Sequence, residues 1–444
     1  MTQVLNSGGL NSEERARYHS IDALRVIAFG VLILYHIGMY YVLEWGWHIK
    51  SDHPQAWLQD VMVLTSQWRM SLLFLISSMV LTVLLTRVGL RPILFFKRAG
   101  GLIAQRTQRL LIPLIFGMFV IVAPQVYIEW TVNGVIDTSF MQFYEGYINP
   151  NTQWLTERHS DIGLLTWNHL WFLPYLWVYS ILLVLLFPLI AQVRKSSMGI
   201  AVFAFVTCTA MVAIWLLLRS KYPTTHDLLN DWYSHAKYFW VMVIGAVVIL
   251  QPGLWQALER TRYVSVLVAL CMYSLIIADR HDVLGPVGDW IAEFWWFKVI
   301  VGYIVVLNHW AWLAAILGFG KRYLNKPRAW VKYLNTAVLP YYIMHQTLIV
   351  MAAYYLHSVG LPISIQFVLI LLVTLIGCAL TFELVKRNAI TRLLFGLKVQ
   401  KAKIENERRF DSGSDSKSER TACAFYHEGH HEGATTISET KKAV

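Results

Sequence analysis

Arg25 and His36 stand eleven positions apart in an otherwise apolar run, DALRVIAFGVLILYHIGMYYVL, at residues 22–43. At 3.6 residues per turn this is about three turns, so both side chains share one helix face, about 16 Å apart along the axis. A guanidinium and an imidazole inside an apolar span are costly, and by default they mark function. The chemistry they offer is anion binding by Arg25 and proton acceptance by a neutral His36. Asp22 lies three positions before Arg25, on the same side, and can pair with it. The plainer alternative is that Arg25 snorkels to the headgroups and His36 is a packing residue with a satisfied hydrogen bond. Other titratable groups fall within or at the ends of apolar runs: Arg69, Glu129, His169, Lys298, His309, His345 and Glu383. Tyr341 and Tyr342 precede His345 by four and three positions, which predicts one hydrogen-bonded patch on a shared helix face. Lys298 and His309 repeat the eleven-residue register. These groups together imply a polar cavity through part of a bilayer.

The elements that must position them are membrane helices. Of 444 residues, 56% are hydrophobic and 15% charged, whereas a soluble chain is about a quarter charged. The fold class is therefore all-α: a polytopic membrane bundle of about ten helices near 22–43, 68–86, 110–130, 169–190, 199–218, 236–250, 263–279, 294–316, 336–356 and 363–385. Alternate loops carry most Lys and Arg, including Arg15, Arg87, Arg106, Arg109, Arg194, Arg260 and Lys321, which places both termini in the cytoplasm. The inner side of the bundle is thus the cytoplasmic one, and the outer side is its opposite. The net charge of +11 then reflects loops and tail, and nucleic acid is not an expected partner. A polar start and a long first apolar run argue against a cleaved signal. Cys208, Cys271, Cys378 and Cys423 suggest neither a disulfide framework nor a thiolate metal site. Three regions are expected: an N-terminal cytoplasmic segment at 1–20, a membrane domain at 21–390 and a disordered tail at 391–444. The cluster His427, His430 and His431 in the tail is assigned no role.

Outer loops at 44–66 and 131–167 are rich in Trp, Tyr, amides and acids, which suits sugar rings as well as an interfacial belt. His48, His53 and Asp52 are close in sequence but make a poor metal set, and no metal is expected. The inner stretch 91–109, RPILFFKRAGGLIAQRTQR, is predicted to be amphipathic. Its bases suit lipid phosphates or the phosphates of a soluble anionic substrate.

Several motifs add to this. Arg25 and His36 form an Arg-x10-His pattern, and FLIS occurs at 74–77, followed by Ser78 where a Gly is usual. Arg106-Thr-Gln-Arg109 is followed by Leu110 and Pro113; HLWFL occurs at 169–173 and YYIMHQ at 341–346. In this order they resemble the acyltransferase 3 family of membrane O-acyltransferases, over residues of about 18 to 390. The run from His36 through Trp47, His48, Trp57 and Arg69 is most similar to the glucan-modifying, succinyltransferase-like branch. The resemblance implies an acyl-CoA donor (acetyl-CoA or succinyl-CoA, a co-substrate rather than a tightly bound cofactor) and a carbohydrate hydroxyl on the outer side. It also implies a bacterial inner membrane. In such a reaction His36 is the expected base and Arg25 holds the pantetheine arm or pyrophosphate. Arg106 and Arg109 hold CoA phosphates, and His345 with Tyr341 orients His36 or lines the oxyanion site. Arg69 or Lys298 meets an acyl carboxylate, and His169 and Trp171 belong to the substrate site. A transporter or flippase for a polar or glycosidic solute is the rival reading. The oligomeric state is left open.

Overall fold

The computed structural model describes residues 12–88, 92–160, 162–195 and 199–398. The tail from residue 399, with its histidine cluster, lies outside them. Among the described residues all regular elements are helical. In chain order the α-helices are α1 (Ser12–Tyr41), α2 (Ala56–Ser66), α3 (Arg69–Val88), α4 (Pro92–Phe116), α5 (Ala123–Val132), α6 (Phe140–Ile148), α7 (Phe172–Ile190) and α8 (Ile200–Leu218). They continue as α9 (Trp232–Leu250), α10 (Pro252–Arg260), α11 (Arg262–Arg280), α12 (Val287–Glu293), α13 (Trp295–Tyr323), α14 (Ala329–His357), α15 (Ile363–Val385) and α16 (Ala389–Leu394). Ten helical segments are long and apolar enough to cross a membrane, from His19–Tyr41 to Ile363–Val385. The chain is an all-α, multi-pass membrane bundle.

Two spans are longer than the hydropathy pattern suggests. The second runs over Ala56–Val88 and joins α2 to α3. Asp60 ties α2 to the end of α11: it accepts from Arg280 Nε at 2.9 Å and pairs with His281. The third runs over Phe95–Val132, and residues 92–109 of the amphipathic stretch make up most of α4. It is interrupted by a π-helical turn, Gly117–Ile121, before α5. Such turns widen a helix and release carbonyls to other partners.

α1 packs against α14, α13 and α3, which places the Arg25 and His36 face inside the bundle. Lys50 fixes the outer end of α1 by donating to the carbonyls of Met39, Val42 and Trp45. Burial lowers its ammonium pKa below the ordinary value. At the other end, the sequence reading closes the membrane domain at residue 390, yet residues 391–398 pack on the bundle. α16 is capped by Asn388, whose side chain accepts from Ile390 N at 2.8 Å. Phe395 and Leu397 are buried, and Gly396 O accepts from Arg109 Nε at 3.0 Å. These apolar residues follow a charged junction, which hides them from a hydropathy reading.

The close helix contact that a glycine at position 78 would supply is made from the opposite side. Ser78 is fully buried and donates to Met242 O. Gly245 on α9 faces it: a Cβ there would lie 2.9 Å from Leu75 O and 2.8 Å from Ser78 Oγ. Gly245→Ala is expected to push α3 from α9 and cost about 1–3 kcal/mol. Thermal unfolding in detergent checks this. The variant should melt lower, while Gly30→Ala, which meets nothing within 4 Å, should not.

Candidate active site

His345 lies fully buried on α14, and its Nδ1 is 2.7 Å from Tyr342 O and 3.2 Å from Tyr341 O. A carbonyl only accepts, so Nδ1 carries the proton. In the neutral ring Nε2 is then an acceptor. It sits 2.8 Å from His36 Nδ1, which must therefore donate. The neutral His36 is left with its lone pair on Nε2, which engages no described residue. Two imidazoles in series thus transmit the polarity of a backbone carbonyl to a single bare nitrogen. The rings are 4.9 Å apart and tilted by 39°.

A second polar layer surrounds this pair. His169 Nε2 donates to Ile343 O at 3.1 Å. Its Nδ1 therefore accepts, from Gln125 Nε2 at 3.4 Å. Gln125 also donates to Thr347 Oγ1 at 2.6 Å. Its carbonyl accepts from Gln346 Nε2 at 3.2 Å and Asn168 Nδ2 at 3.4 Å. Gln346 Nε2 donates at 2.8 Å to His48 Nε2, so His48 Nδ1 holds the proton and donates to Glu129. Two backbone features make room for the network. Thr347 Oγ1 donates at 2.7 Å to Ile121 O at the end of the π-helical turn. Asn168, at φ 40°, adopts the left-handed conformation that Asn tolerates and turns His169 inward.

Arg69 begins α3 close to this cluster. Its guanidinium carbon lies 3.2 Å from the centroid of the Tyr35 ring. The residue is 7% exposed, and its Nε and Nη1 have no hydrogen-bond acceptor. It is within electrostatic reach of His36, as are His169 and His48. A buried guanidinium with unused donors suits a carboxylate or an oxyanion.

Toward the inner face the same side of α1 presents Arg25. Its Nη1 donates to Asn335 Oδ1 at 3.2 Å and lies 3.9 Å from Asp22, the pairing read from the sequence. Arg106 donates to Ser180 Oγ at 3.0 Å. Arg25, Arg106 and Arg109 are in mutual electrostatic reach. Asp22 is the one carboxylate paired with any of them among the described residues.

The structure thus brings His36, His345, His169 and Arg69 together, and Arg25, Arg106 and Arg109 together. It places two expected residues elsewhere. The Tyr341 ring packs 6.5 Å from Phe382, and only its carbonyl meets His345; Tyr342 supplies the contacting side chain, 5.9 Å away. Trp171 stacks on His226 at 4.1 Å and on other aromatic rings as part of the core. Gln125, Gln346 and Thr347 join the site unannounced. The available signal was three polar side chains in or beside apolar runs; the His48–Glu129 pair had the same signal split between a loop and a helix end.

A family model described as "Acyltransferase domain" matches residues 18–383. No match was found among curated proteins, and none among solved structures.

Gln125→Leu removes two donors and one acceptor that Gln346, Asn168, Thr347 and His169 use. Leaving buried partners unmet costs about 1–3 kcal/mol. The variant is expected to unfold at lower temperature and lower denaturant concentration; an unchanged midpoint contradicts the network.

Proposed function

The chain belongs to the acyltransferase 3 family, and on that premise we propose that it moves an acyl group, acetyl or succinyl, from acyl-CoA to a carbohydrate hydroxyl. The acceptor is a glucan or another envelope saccharide on the outer side, in a bacterial inner membrane. The observation that carries this reading is the bare Nε2 of His36, held in that tautomer by His345 and the Tyr342 carbonyl.

In this mechanism His36 Nε2 takes the proton from the acceptor hydroxyl as its oxygen attacks the thioester carbonyl. The developing imidazolium keeps its Nδ1–H bond to His345, as a base needs an orienting partner. The tetrahedral oxyanion lies against Arg69, whose Nε and Nη1 are unused. Collapse breaks the carbon–sulfur bond, and the imidazolium returns its proton to the leaving thiolate. For a succinyl group, Arg69 or Lys298 meets the distal carboxylate instead. Arg25, Arg106 and Arg109 bind the donor's phosphates and pantetheine arm. The separation of about 16 Å between Arg25 and His36 along the helix suits an extended arm rather than a hydrogen-bonded pair. His169 belongs to the wall around His36 and acts on it by position.

The test is release of CoA by the purified protein in liposomes, given acetyl-CoA or succinyl-CoA with a glucan acceptor. His36→Ala should lower turnover by about 10²–10⁴-fold with the protein still inserted and folded. Turnover should rise with pH to a plateau, because only the neutral imidazole accepts a proton. His345→Ala should lower kcat with little change in KM, with the rise with pH kept because His36 still titrates. Wild-type turnover retained in His36→Ala removes it from the mechanism. No release with either donor, and no thermal stabilisation by CoA, favours a carrier.

A further inference from the structure

A second polar cavity, of about 390 Å³, lies where the outer ends of α8 and α9 meet α13 and the α2–α3 junction; Gln67, Trp215, Arg219, Tyr233, Lys237 and His309 are among its lining residues. None of them enters the acyl-transfer mechanism. Lys237 and Arg219 are held by ring faces rather than by carboxylates: Lys237 Nζ is 5.2 Å from the Tyr238 centroid and Arg219 Cζ is 5.5 Å from that of Trp215. Neither forms an ion pair among the described residues. Asp231 is the acid that acts electrostatically on Lys237; its Oδ2 is engaged by Tyr175 OH at 3.0 Å and His226 N at 3.2 Å, its buried Oδ1 has no hydrogen-bond partner, and it forms no ion pair with Lys237 among the described residues.

His309 supplies an independent sign of a ligand. Its Nδ1 donates to Gln67 O at 2.7 Å, so Nε2 is an acceptor. The residue is 5% exposed, lines the cavity, and its Nε2 has no partner. The indole N–H of Trp215 is likewise buried and unpartnered. Trp215 is held in its place by Gly302, where a Cβ would lie 3.2 Å from Trp215 Cε3.

The cavity therefore asks for four things at once: an anion for Lys237 and Arg219, a hydroxyl donor for His309 Nε2, an acceptor for Trp215, and an apolar ring face. An acyl chain meets only the last. A lipid phosphodiester meets the charge and can accept from Trp215, but it offers His309 a hydroxyl only where its headgroup carries one, and it leaves the aromatic wall to its tails. A sugar bearing an anionic group meets all four, since its hydroxyls both donate and accept and its C–H face stacks on an aromatic ring. We propose that this outer cavity binds an anionic saccharide. The lining residues named here take no part in the acyl-transfer mechanism, although Arg69 follows Gln67 by two positions and lies within electrostatic reach of Tyr238; the proposal does not depend on that reading.

The experiment is calorimetric titration of the purified full-length protein, without acyl donor, using glucose 1-phosphate, glucose and inorganic phosphate in turn. Glucose 1-phosphate should bind saturably, and each of the other two at least tenfold more weakly. Lys237→Met and Arg219→Gln should each raise the Kd at least tenfold, and Lys237→Arg should restore most of the binding. All variants must keep the wild-type unfolding midpoint; the Arg variant keeps the test decisive if Lys237→Met misfolds. Competition by nanodiscs containing phosphatidylglycerol, dependent on the same two cations, would make this a lipid headgroup site and overturn the saccharide assignment. Equal affinity for glucose and glucose 1-phosphate, or binding insensitive to both substitutions, would also overturn it.

Discussion

The hydrogen bond from His36 to His345 is the contact on which the rest of the arrangement depends. In water two neutral imidazoles gain little by meeting. Within a membrane helix bundle there is no water to replace a lost partner, so each polar atom is either paired or costly. The Tyr342 carbonyl accepts from His345 Nδ1–H, His345 Nε2 accepts from His36 Nδ1–H, and one nitrogen remains. The polarity of that nitrogen is set by two rings and a peptide group, with no buried carboxylate in line. A carboxylate there would bring a charge that the bundle has to solvate.

This contact joins α1 to α14 and needs both helices held in register. The register comes from neighbours. Gln125 and Gln346 tie the second layer to α5 and α14, and His169 reaches Ile343 O from the start of α7. The π-helical turn in the third span turns Ile121 O toward Thr347. Along α1 the charge pattern is then ordered: arginines toward the inner side, a neutral imidazole pair further out, and the His48–Glu129 pair beyond. A donor that is anionic at one end and an acceptor that is polyhydroxylated would meet that order from opposite sides.

Much of the frame was legible in the sequence because it rests on period and charge. The ten spans follow from apolar length, and the Arg25–His36 face from a spacing of eleven. The remainder depends on choices that spacing leaves open. Tyr341 and Tyr342 are equally placed for His345 by helical offset, and the packing of Phe382 decides between them. The close contact expected at position 78 is supplied by Gly245, on a helix far away in sequence. Gln125 and Gln346 are amides with no characteristic spacing, and their role exists only once α5 and α14 are adjacent. Trp171 sits in a matching motif, yet its neighbours make it part of the aromatic core.

The most direct test of the account is nitrogen NMR on protein labelled with ¹⁵N at histidine, with His36 assigned by its loss in His36→Asn. The predicted result is a neutral ring with its proton on Nδ1 and an unprotonated Nε2, and loss of that tautomer preference in His345→Ala. A His36 ring protonated at Nε2, or a spectrum unchanged by removal of His345, would contradict it.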